Sequence, residues 1–250
     1  MATLWRKTTN SDKYEVTRAG KTVRLYRNGV LHSQWNPIQP VAGHLWDLFL
    51  LSSLGKKISR VLVLGAGGGT VVNLVHYFFA HAKIDAIELD SQHIYAARRF
   101  FKVNSSFCNL HQDDVIHWVK SAKQKRYVLI VDDVFFEGQG QPYRSVDAHA
   151  KWIRTLLSKL TTAGVLVINF ADSKEWLTSK KQLEQQKYFA GFNLASSRHR
   201  HCENRIIHIS RQDLSIRTVR SRMQDRKFGA FGKNLKAGVY GYRAIRLGAK

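Results

Sequence analysis

Five acidic residues of the chain stand at the ends of short apolar runs, where a carboxylate can bind hydroxyl groups or exchange a proton. Glu88 ends one run, Asp113 and Asp114 follow a second, and Asp132 and Asp133 follow a third. The runs have the length and composition of buried strands. Because ligands of parallel sheets lie outside the carboxyl ends of the strands, we expect these side chains to converge on one site.

A glycine-rich stretch supplies the second part of this site. The apolar run Arg60–Leu64 leads directly into residues 65–69 (Gly-Ala-Gly-Gly-Gly), and apolar residues then recur at helical spacing. The pattern predicts a strand, a tight turn and a helix start, where a nucleoside cofactor can approach a backbone with few Cβ atoms. Glu88 stands nineteen positions after Gly69, the offset expected for a carboxylate on ribose hydroxyls.

Two other interpretations of the glycine stretch compete with this one. The dinucleotide fingerprint requires a small residue at the position of Thr70, so the sequence disfavours NAD. A glycine turn in an unrelated α/β protein is the remaining alternative.

The elements that must position these residues alternate between strands and helices. Strand patterns occur at residues 60–64, 83–90, 108–112, 127–131 and 165–170. The alternation predicts an α/β fold with a doubly wound, Rossmann-like sheet. Asn169, in the fifth strand, is expected beside the acidic residues, and the glycine-rich residues 138–142 are expected to form a flexible loop over the same edge.

Changes in composition divide the chain into three expected parts. Residues 1–42 carry hairpin signals, of which Asn28-Gly29 is the strongest, and we expect a small N-terminal β-unit there. Residues 43–210 contain the nucleoside-cofactor-binding sheet. Residues 211–250 form a basic segment that contains aromatic side chains.

The charge of the chain favours an anionic partner. Forty Lys and Arg residues against eighteen Asp and Glu give a net charge of +22. From Arg211 to Lys250 there are eleven Lys or Arg and two Asp, interleaved with aromatic rings: Phe228, Phe231, Tyr240 and Tyr242. This segment is predicted to bind RNA or another polyanion, with the rings stacked on bases. The alternative is a basic tail whose rings pack on the core.

Several classes of protein are disfavoured. No run of eighteen apolar residues and no apolar signal core occurs, so we expect no membrane span and a cytoplasmic protein. The two cysteines, Cys108 and Cys202, are far apart and predict neither a disulfide framework nor a zinc site. His199, His201 and Cys202 lack a second matching cluster, and no metal is expected. An oligomer is left open.

The glycine stretch, the sequence Ile-Glu-Leu-Asp at 87–90, Gln-Asp-Asp at 112–114 and Leu-Ile-Val-Asp at 129–132 resemble, in order and spacing, the spermidine synthase family within the class I S-adenosylmethionine-dependent methyltransferase fold. The resemblance covers about residues 20–170 and includes the N-terminal hairpin. It implies a nucleoside cofactor whose methionine-derived end lies on the glycine loop, its ribose on Glu88 and its adenine on Asp113. The cofactor-binding residues implied are Gly65, Ala66, Gly67, Gly69, Glu88, Leu89, Asp113, Asp114 and Asp132.

The chain departs from the family at the residues that transfer aminopropyl groups. Gly68 stands where spermidine synthases have an aspartate, and Phe135 stands where the resemblance implies the general base. The polyamine motif before the first strand is also replaced, at residues 43–47. A chain this basic is further expected to repel a polycationic substrate.

These departures favour methyl transfer from S-adenosylmethionine to an anionic macromolecule such as RNA, or to a protein. Asp132 or Asp133 is predicted to be catalytic, by orienting or deprotonating an amine. Two alternatives remain: an aminopropyltransferase with an altered acceptor, and a catalytically silent module that binds a nucleoside or RNA.

Overall fold

The N-terminal part of the chain is a four-stranded antiparallel sheet. The computed structural model describes residues 1–9, 11–122, 126–138, 141–144 and 146–247. The strands pair in chain order: β1 (Ala2–Thr8), β2 (Lys13–Ala19), β3 (Thr22–Arg27) and β4 (Val30–Trp35). The predicted hairpins at β2–β4 are confirmed. Strand β1 escaped prediction because it is a largely exposed edge strand without apolar alternation.

The main sheet has eight strands and confirms the doubly wound prediction. Its spatial order is β14-β12-β13-β11-β8-β5-β6-β7. The strands are β5 (Arg60–Leu64), β6 (Lys83–Glu88), β7 (Cys108–Gln112), β8 (Tyr127–Asp132), β11 (Leu160–Phe170), β12 (Asn193–His199), β13 (Arg205–Ser210) and β14 (Tyr240–Ile245). Strands β7, β6, β5, β8 and β11 are mutually parallel, and the last three strands are antiparallel. The order of the parallel strands reverses beside β5, so the fold opens its crevice at the glycine stretch.

Helices cover both faces of this sheet. They are α1 (Thr70–Phe78), α2 (Ser91–Arg99), α3 (Val115–Ser121), α4 (Ala150–Lys159), α5 (Ser173–Glu184), α6 (Ile216–Arg222) and α7 (Gly229–Lys236). The apolar stretch after the N-terminal sheet forms a 3-10 helix, Leu45–Ser53, and two shorter 3-10 helices are Lys187–Gly191 and Arg226–Phe228. Successive apolar side chains of the central strands lie on opposite faces of the sheet, so that each face has its own hydrophobic core. Among the helices described, none is both long and apolar enough to cross a bilayer.

The stretch expected as a flexible loop contains a hairpin. Strands β9 (Phe135–Gly138) and β10 (Gln141–Arg144) pair antiparallel directly after β8. Residues 139 and 140 of the expected loop lie outside the described residues. The hairpin returns Arg144 to the carboxyl edge of the main sheet.

The C-terminal segment is packed against the main sheet. Strand β14 extends this sheet at β12, and the rings of Phe228, Phe231, Tyr240 and Tyr242 are buried in the core. The prediction that these rings stack on bases is therefore wrong. The alternative, in which they pack on the core, is confirmed. RNA binding by the charged side chains of the segment stays a prediction.

Candidate functional site

A cavity of about 580 Å³ lies at the carboxyl edge of the main sheet. Its floor is formed where β5, β6, β8 and β11 end, and its outer wall comes from the end of β3 and the start of β4. A further wall comes from the loop between β12 and β13. The cavity is thus placed where the doubly wound fold is expected to bind its ligand.

The glycine loop lies at the centre of the floor, and its first glycine permits a close backbone approach. Gly65 has φ +77°, and a Cβ there would lie 2.3 Å from the carbonyl oxygen of Asp133. Because no side chain fits in that position, the end of β8 can lie directly against the loop. This contact brings Asp133 to the glycine loop.

Every backbone N–H from residue 65 to residue 69 has an acceptor inside the protein. Gly65 and Ala66 donate to the Ile87 carbonyl, Gly67 to Glu88 Oε2, Gly68 to Ser33 Oγ, and Gly69 to the Ala66 carbonyl. A loop that cradles phosphate needs these donors free. The loop is therefore suited to a ligand without phosphate. This agrees with the argument from Thr70 against NAD.

Glu88 holds the loop from the neighbouring strand. Its carboxylate accepts from Gly67 N at 2.7 Å and from Asp90 N at 2.9 Å, and His93 Nδ1 lies 3.7 Å away. Burial opposes ionisation, but His93 and these two backbone donors outweigh it and lower the pKa of Glu88. Glu88 is thus a charged acceptor beside the loop, with lone pairs left for ribose hydroxyls, and Leu89 and Asp90 line the cavity next to it.

Asp133 is the ionisable residue at the end of β8 that faces the cavity. Its Oδ1 accepts from Asn169 Nδ2 at 2.8 Å, and Asn169 Oδ1 in turn accepts from Asn204 at 3.0 Å. Burial raises the pKa of Asp133 to about 6, in spite of the Asn169 hydrogen bond and the positive charge of Arg144. The side chain therefore has the properties of a positioned general base.

Asp132, the other residue predicted to be catalytic, faces away from the cavity. Its Oδ2 accepts from Arg144 Nη2 at 2.7 Å and from Trp152 Nε1 at 2.9 Å, and its side chain is fully buried. Arg144 also donates to the carbonyl of Asn169 at 2.5 Å. Asp132 is thus part of a buried ion pair that fixes the ends of β8 and β11, and neither a catalytic nor a cofactor-binding role fits its position.

The two acidic residues after β7 serve their own helix. Asp114 caps α3 by accepting from Ile116 N and His117 N, and it lines the cavity together with Val115. Asp113 accepts from its neighbour's N–H and lies 2.9 Å from His117 Nδ1. The adenine contact predicted for Asp113 stays a prediction, and Asp114 is the one of the two that lines the cavity.

The N-terminal sheet explains the glycine that replaces the family's loop aspartate. A Cβ on Gly68 would lie 2.8 Å from Ser33 Cβ and 3.2 Å from Leu25. Strand β4 therefore closes directly over the loop, and a side chain at residue 68 has no room. Phe135, at the position implied for the base, lines the cavity instead, with Arg144 5.7 Å from its ring centroid.

The cavity is acidic although the chain is basic. Six of the eighteen carboxylates of the chain line it: Glu88, Asp90, Asp114, Asp133, Asp172 and Glu203. Of the described lining residues, Arg27 alone is a lysine or arginine, and it pairs with Asp12 at 2.9 Å and Asp90 at 3.7 Å. The expected repulsion of a polycation is wrong for this site, because net charge says nothing about where the charges lie.

Metal binding has no support among the described residues. They contain no group of three or more His, Cys, Asp or Glu side chains arranged to hold an ion. Cys202 Sγ lies 3.5 Å from His199 Nδ1, and His199 Nε2 contacts the carbonyl of Gly43 at 2.9 Å. His199 thus connects the end of β12 to the backbone at Gly43.

Known proteins share both sequence and fold with this chain. A polyamine aminopropyltransferase of Prochlorococcus marinus (strain AS9601) is 37% identical over 90 residues, which are 33% of this chain and 31% of the relative. A probable spermidine synthase of Corynebacterium glutamicum superimposes with a TM-score of 0.72 at 16% identity, over 99% of this chain and 91% of the other. Human methyltransferase-like protein 13, solved with S-adenosylhomocysteine, gives 0.55 at 20% identity over 80% and 90%.

The chain has the class I S-adenosylmethionine-dependent methyltransferase fold, in the form found in spermidine synthases. No family model matches the sequence. The matched segment spans about a third of the length of the curated Prochlorococcus relative. Because the matched relatives carry the names of aminopropyl-transferring enzymes, the prediction of methyl transfer to an anionic macromolecule is wrong.

Proposed function

We propose that this protein is an aminopropyltransferase, which transfers the aminopropyl group of decarboxylated S-adenosylmethionine to an amine other than the usual polyamines. The observation that carries the proposal is the acidic lining of the cavity around Asp133. Both substrates of such a reaction are cations, and carboxylates that line one cavity favour cations by direct charge interaction. The names of the matched relatives support the same reaction class.

We infer that the cofactor is decarboxylated S-adenosylmethionine, and the donors of the glycine loop support this choice over S-adenosylmethionine itself. Loss of the carboxylate leaves a ligand with a sulfonium and an ammonium, and therefore with no group that needs the amide donors of the glycine loop. All five loop N–H groups already have acceptors, and Glu88 adds a negative charge beside them. The resemblance implies ribose on Glu88. When bound, this cofactor supplies an electrophilic carbon attached to a positively charged sulfur.

Asp133 is the proposed base. An amine must lose a proton to become a nucleophile, and a carboxylate whose pKa is raised to about 6 accepts that proton more readily than an ordinary aspartate. The amine nitrogen then forms a bond to the propyl carbon, the carbon–sulfur bond breaks with its electron pair on sulfur, and the proton resides on Asp133. Asn169 keeps the carboxylate oriented through its 2.8 Å hydrogen bond.

The acceptor end of the cavity supports an amine with an apolar part. Trp46 and Phe135 provide rings, while Asp172 and Glu203 provide charge toward the β12–β13 loop. With Phe135 in place of the carboxylate, one ammonium partner of a linear polyamine is missing. A primary amine whose carbon portion lies on the two rings matches this combination of charge and aromatic surface.

The test is aminopropyl transfer to a panel of amines. The protein is supplied with decarboxylated S-adenosylmethionine and aryl-alkyl, alkyl or polyamine acceptors, and methylthioadenosine is measured by chromatography. We expect release of methylthioadenosine with aryl-alkyl or alkyl monoamines and little with putrescine. Turnover of putrescine at ordinary enzyme rates would overturn the proposed acceptor. Absence of turnover with every amine, while methylthioadenosine binds, would overturn the reaction and favour a silent nucleoside-binding module.

A further inference from the structure

The C-terminal segment forms a basic surface that is separate from the acidic cavity. Helices α6 and α7 pack through Val219 and Phe231 on one face of the main sheet. Their outward sides and the turn between them carry six cationic residues, here called the basic face: Arg217, Arg220, Arg222, Arg226, Lys233 and Lys236. Arg222 is half-buried and the other five are exposed.

The basic face has almost no local counter-charge. The two carboxylates of this segment are engaged locally: Asp213 accepts from Ser215 N at 2.9 Å and interacts electrostatically with Arg222, and Asp225 caps a short helix by accepting from Lys227 N at 2.9 Å. Within the part of the chain that the structure describes, no side chain of the basic face lies within 4 Å of a carboxylate oxygen. The five exposed cations are therefore available to an outside anion, whereas Arg222 also donates to the carbonyl of Ser52 at 3.4 Å.

Crowding of positive charge extends beyond the two helices. Gly55 packs against Arg222, which brings Lys56 and the exposed Lys57 next to this face. Burial and the charge of Arg222 lower the pKa of Lys56 to about 8. A surface on which cations repel one another in this way gains when a polyanion neutralises it.

The chemistry of the face favours nucleic acid over a lipid surface. None of the exposed large hydrophobic residues of the described chain lies between residues 211 and 247, so nothing there inserts into a bilayer. The four rings of the segment are buried and cannot stack on bases. The charged side chains of the basic face can therefore contact only the phosphates of a nucleic acid. Gln224, exposed between the two helices, can in addition hydrogen-bond to a 2′-hydroxyl, the group that distinguishes RNA from DNA.

We propose that the basic face binds the phosphodiester backbone of RNA, without reading its sequence. The proposal is independent of the reaction in the cavity, which lies at the carboxyl edge of the sheet. Neutralised phosphates release counterions, so the logarithm of affinity should fall with the logarithm of salt concentration with a slope of about 4 to 5 for six contacts. Exchange of buried Tyr240 should affect stability and leave this slope unchanged.

The decisive variant reverses four charges on the face. Arg217→Glu, Arg220→Glu, Lys233→Glu and Lys236→Glu are combined, and binding to a short mixed-sequence RNA is measured by fluorescence anisotropy over a salt series. We expect affinity at low salt to fall by about a hundredfold or more and the salt slope to become shallow. The circular dichroism spectrum and the urea unfolding midpoint, measured on the same sample, report whether the variant is folded. If this variant does not fold, the four residues are changed to Gln instead, with a smaller expected loss.

A matched control makes the same change in net charge elsewhere. Lys151, Lys174, Lys181 and Lys187, exposed on and after α4 and α5, are all changed to Glu. We expect this control to retain RNA affinity within about threefold, the effect of long-range charge alone. Equal loss in both variants would overturn the basic face as the site. So would absence of RNA binding at low salt, equal affinity for DNA of the same sequence, or binding to anionic phosphatidylserine vesicles in place of RNA.

Discussion

Exchange of Asp133 for asparagine should make the protein inactive and, at neutral pH, more stable. The amide occupies the same space and can still accept the hydrogen bond from Asn169 Nδ2, which spans 2.8 Å in the parent. It cannot accept a proton from an amine, and loss of a general base costs about 10²–10⁴ in rate. We therefore expect methylthioadenosine release to fall by at least a hundredfold with affinity for methylthioadenosine unchanged.

The gain in stability follows from the raised pKa. Burial moves the pKa of Asp133 from 3.8 in the unfolded chain to about 6 in the folded protein. Between these two values the folded protein holds more protons, so the free energy of unfolding falls as the pH rises and the loss is complete above pH 6. At 1.36 kcal/mol per pKa unit the loss is about 3 kcal/mol. Urea unfolding should show Asp133→Asn more stable by about 2–3 kcal/mol at pH 8, with the difference vanishing below pH 4.

The adjacent carboxylate provides the control. Asp132→Asn removes the nearer of the two carboxylates that pair with buried Arg144 and leaves Glu175, 3.5 Å from Arg144 Nε, as the other. Loss of one partner of a buried ion pair costs about 3–5 kcal/mol. Two neighbouring Asp→Asn changes are thus expected to shift stability in opposite directions at pH 8. An active Asp133→Asn protein would remove Asp133 as the base, and a destabilised one would refute the cost assigned to its burial.

Three further outcomes are expected. Glu88→Gln should weaken methylthioadenosine binding by about 1.5–3 kcal/mol in calorimetry, because the amide lacks the charge that strengthens hydrogen bonds to ribose; unchanged affinity in the folded variant would place the ribose elsewhere. Tyr240→Phe removes a donor to buried Asp47 and should lower the free energy of unfolding in urea by about 1–3 kcal/mol, whereas no change would mean that the contact contributes nothing net. Gly65→Ala places a methyl group against the carbonyl of Asp133 and should abolish methylthioadenosine binding; retained binding would contradict the close approach.

The sequence was sufficient for the five parallel strands and for the position of Glu88 beside the glycine loop, because strand patterns and a fixed offset from the glycines are local signals. It did not distinguish Asp132 from Asp133. The difference lies in where the strand ends: the predicted strand stops at residue 131, whereas β8 continues through Asp132, which lies on the same face as Ile130 against Trp152 of α4, and Asp133 is the first residue beyond the strand. The partner of Asp132, Arg144, returns through a hairpin, and no local pattern predicts which buried charge such a segment meets.

The positions of the charges in the folded protein could not be predicted from the sequence either. A net charge of +22 predicts an anionic partner and gives no warning that six carboxylates share one cavity. Asp172 and Glu203 reach it from loops after β11 and β12, which are distant in sequence from Glu88. The aromatic residues of the basic segment were equally ambiguous, since a ring interleaved with lysines can face either solvent or core. Pairing of β14 with β12 decides for the core.

The contact between Ser33 and Gly68 also limits how this protein can change during evolution. Gly68 N donates to Ser33 Oγ at 2.7 Å, and the two residues are 35 positions apart in the chain. A Cβ at residue 68 collides with the Ser33 side chain, so an aspartate can enter the loop only after position 33 has become glycine or β4 has moved. The order of the two substitutions is thereby fixed. A mutational path from this loop to that of the spermidine synthases must pass through the N-terminal sheet first.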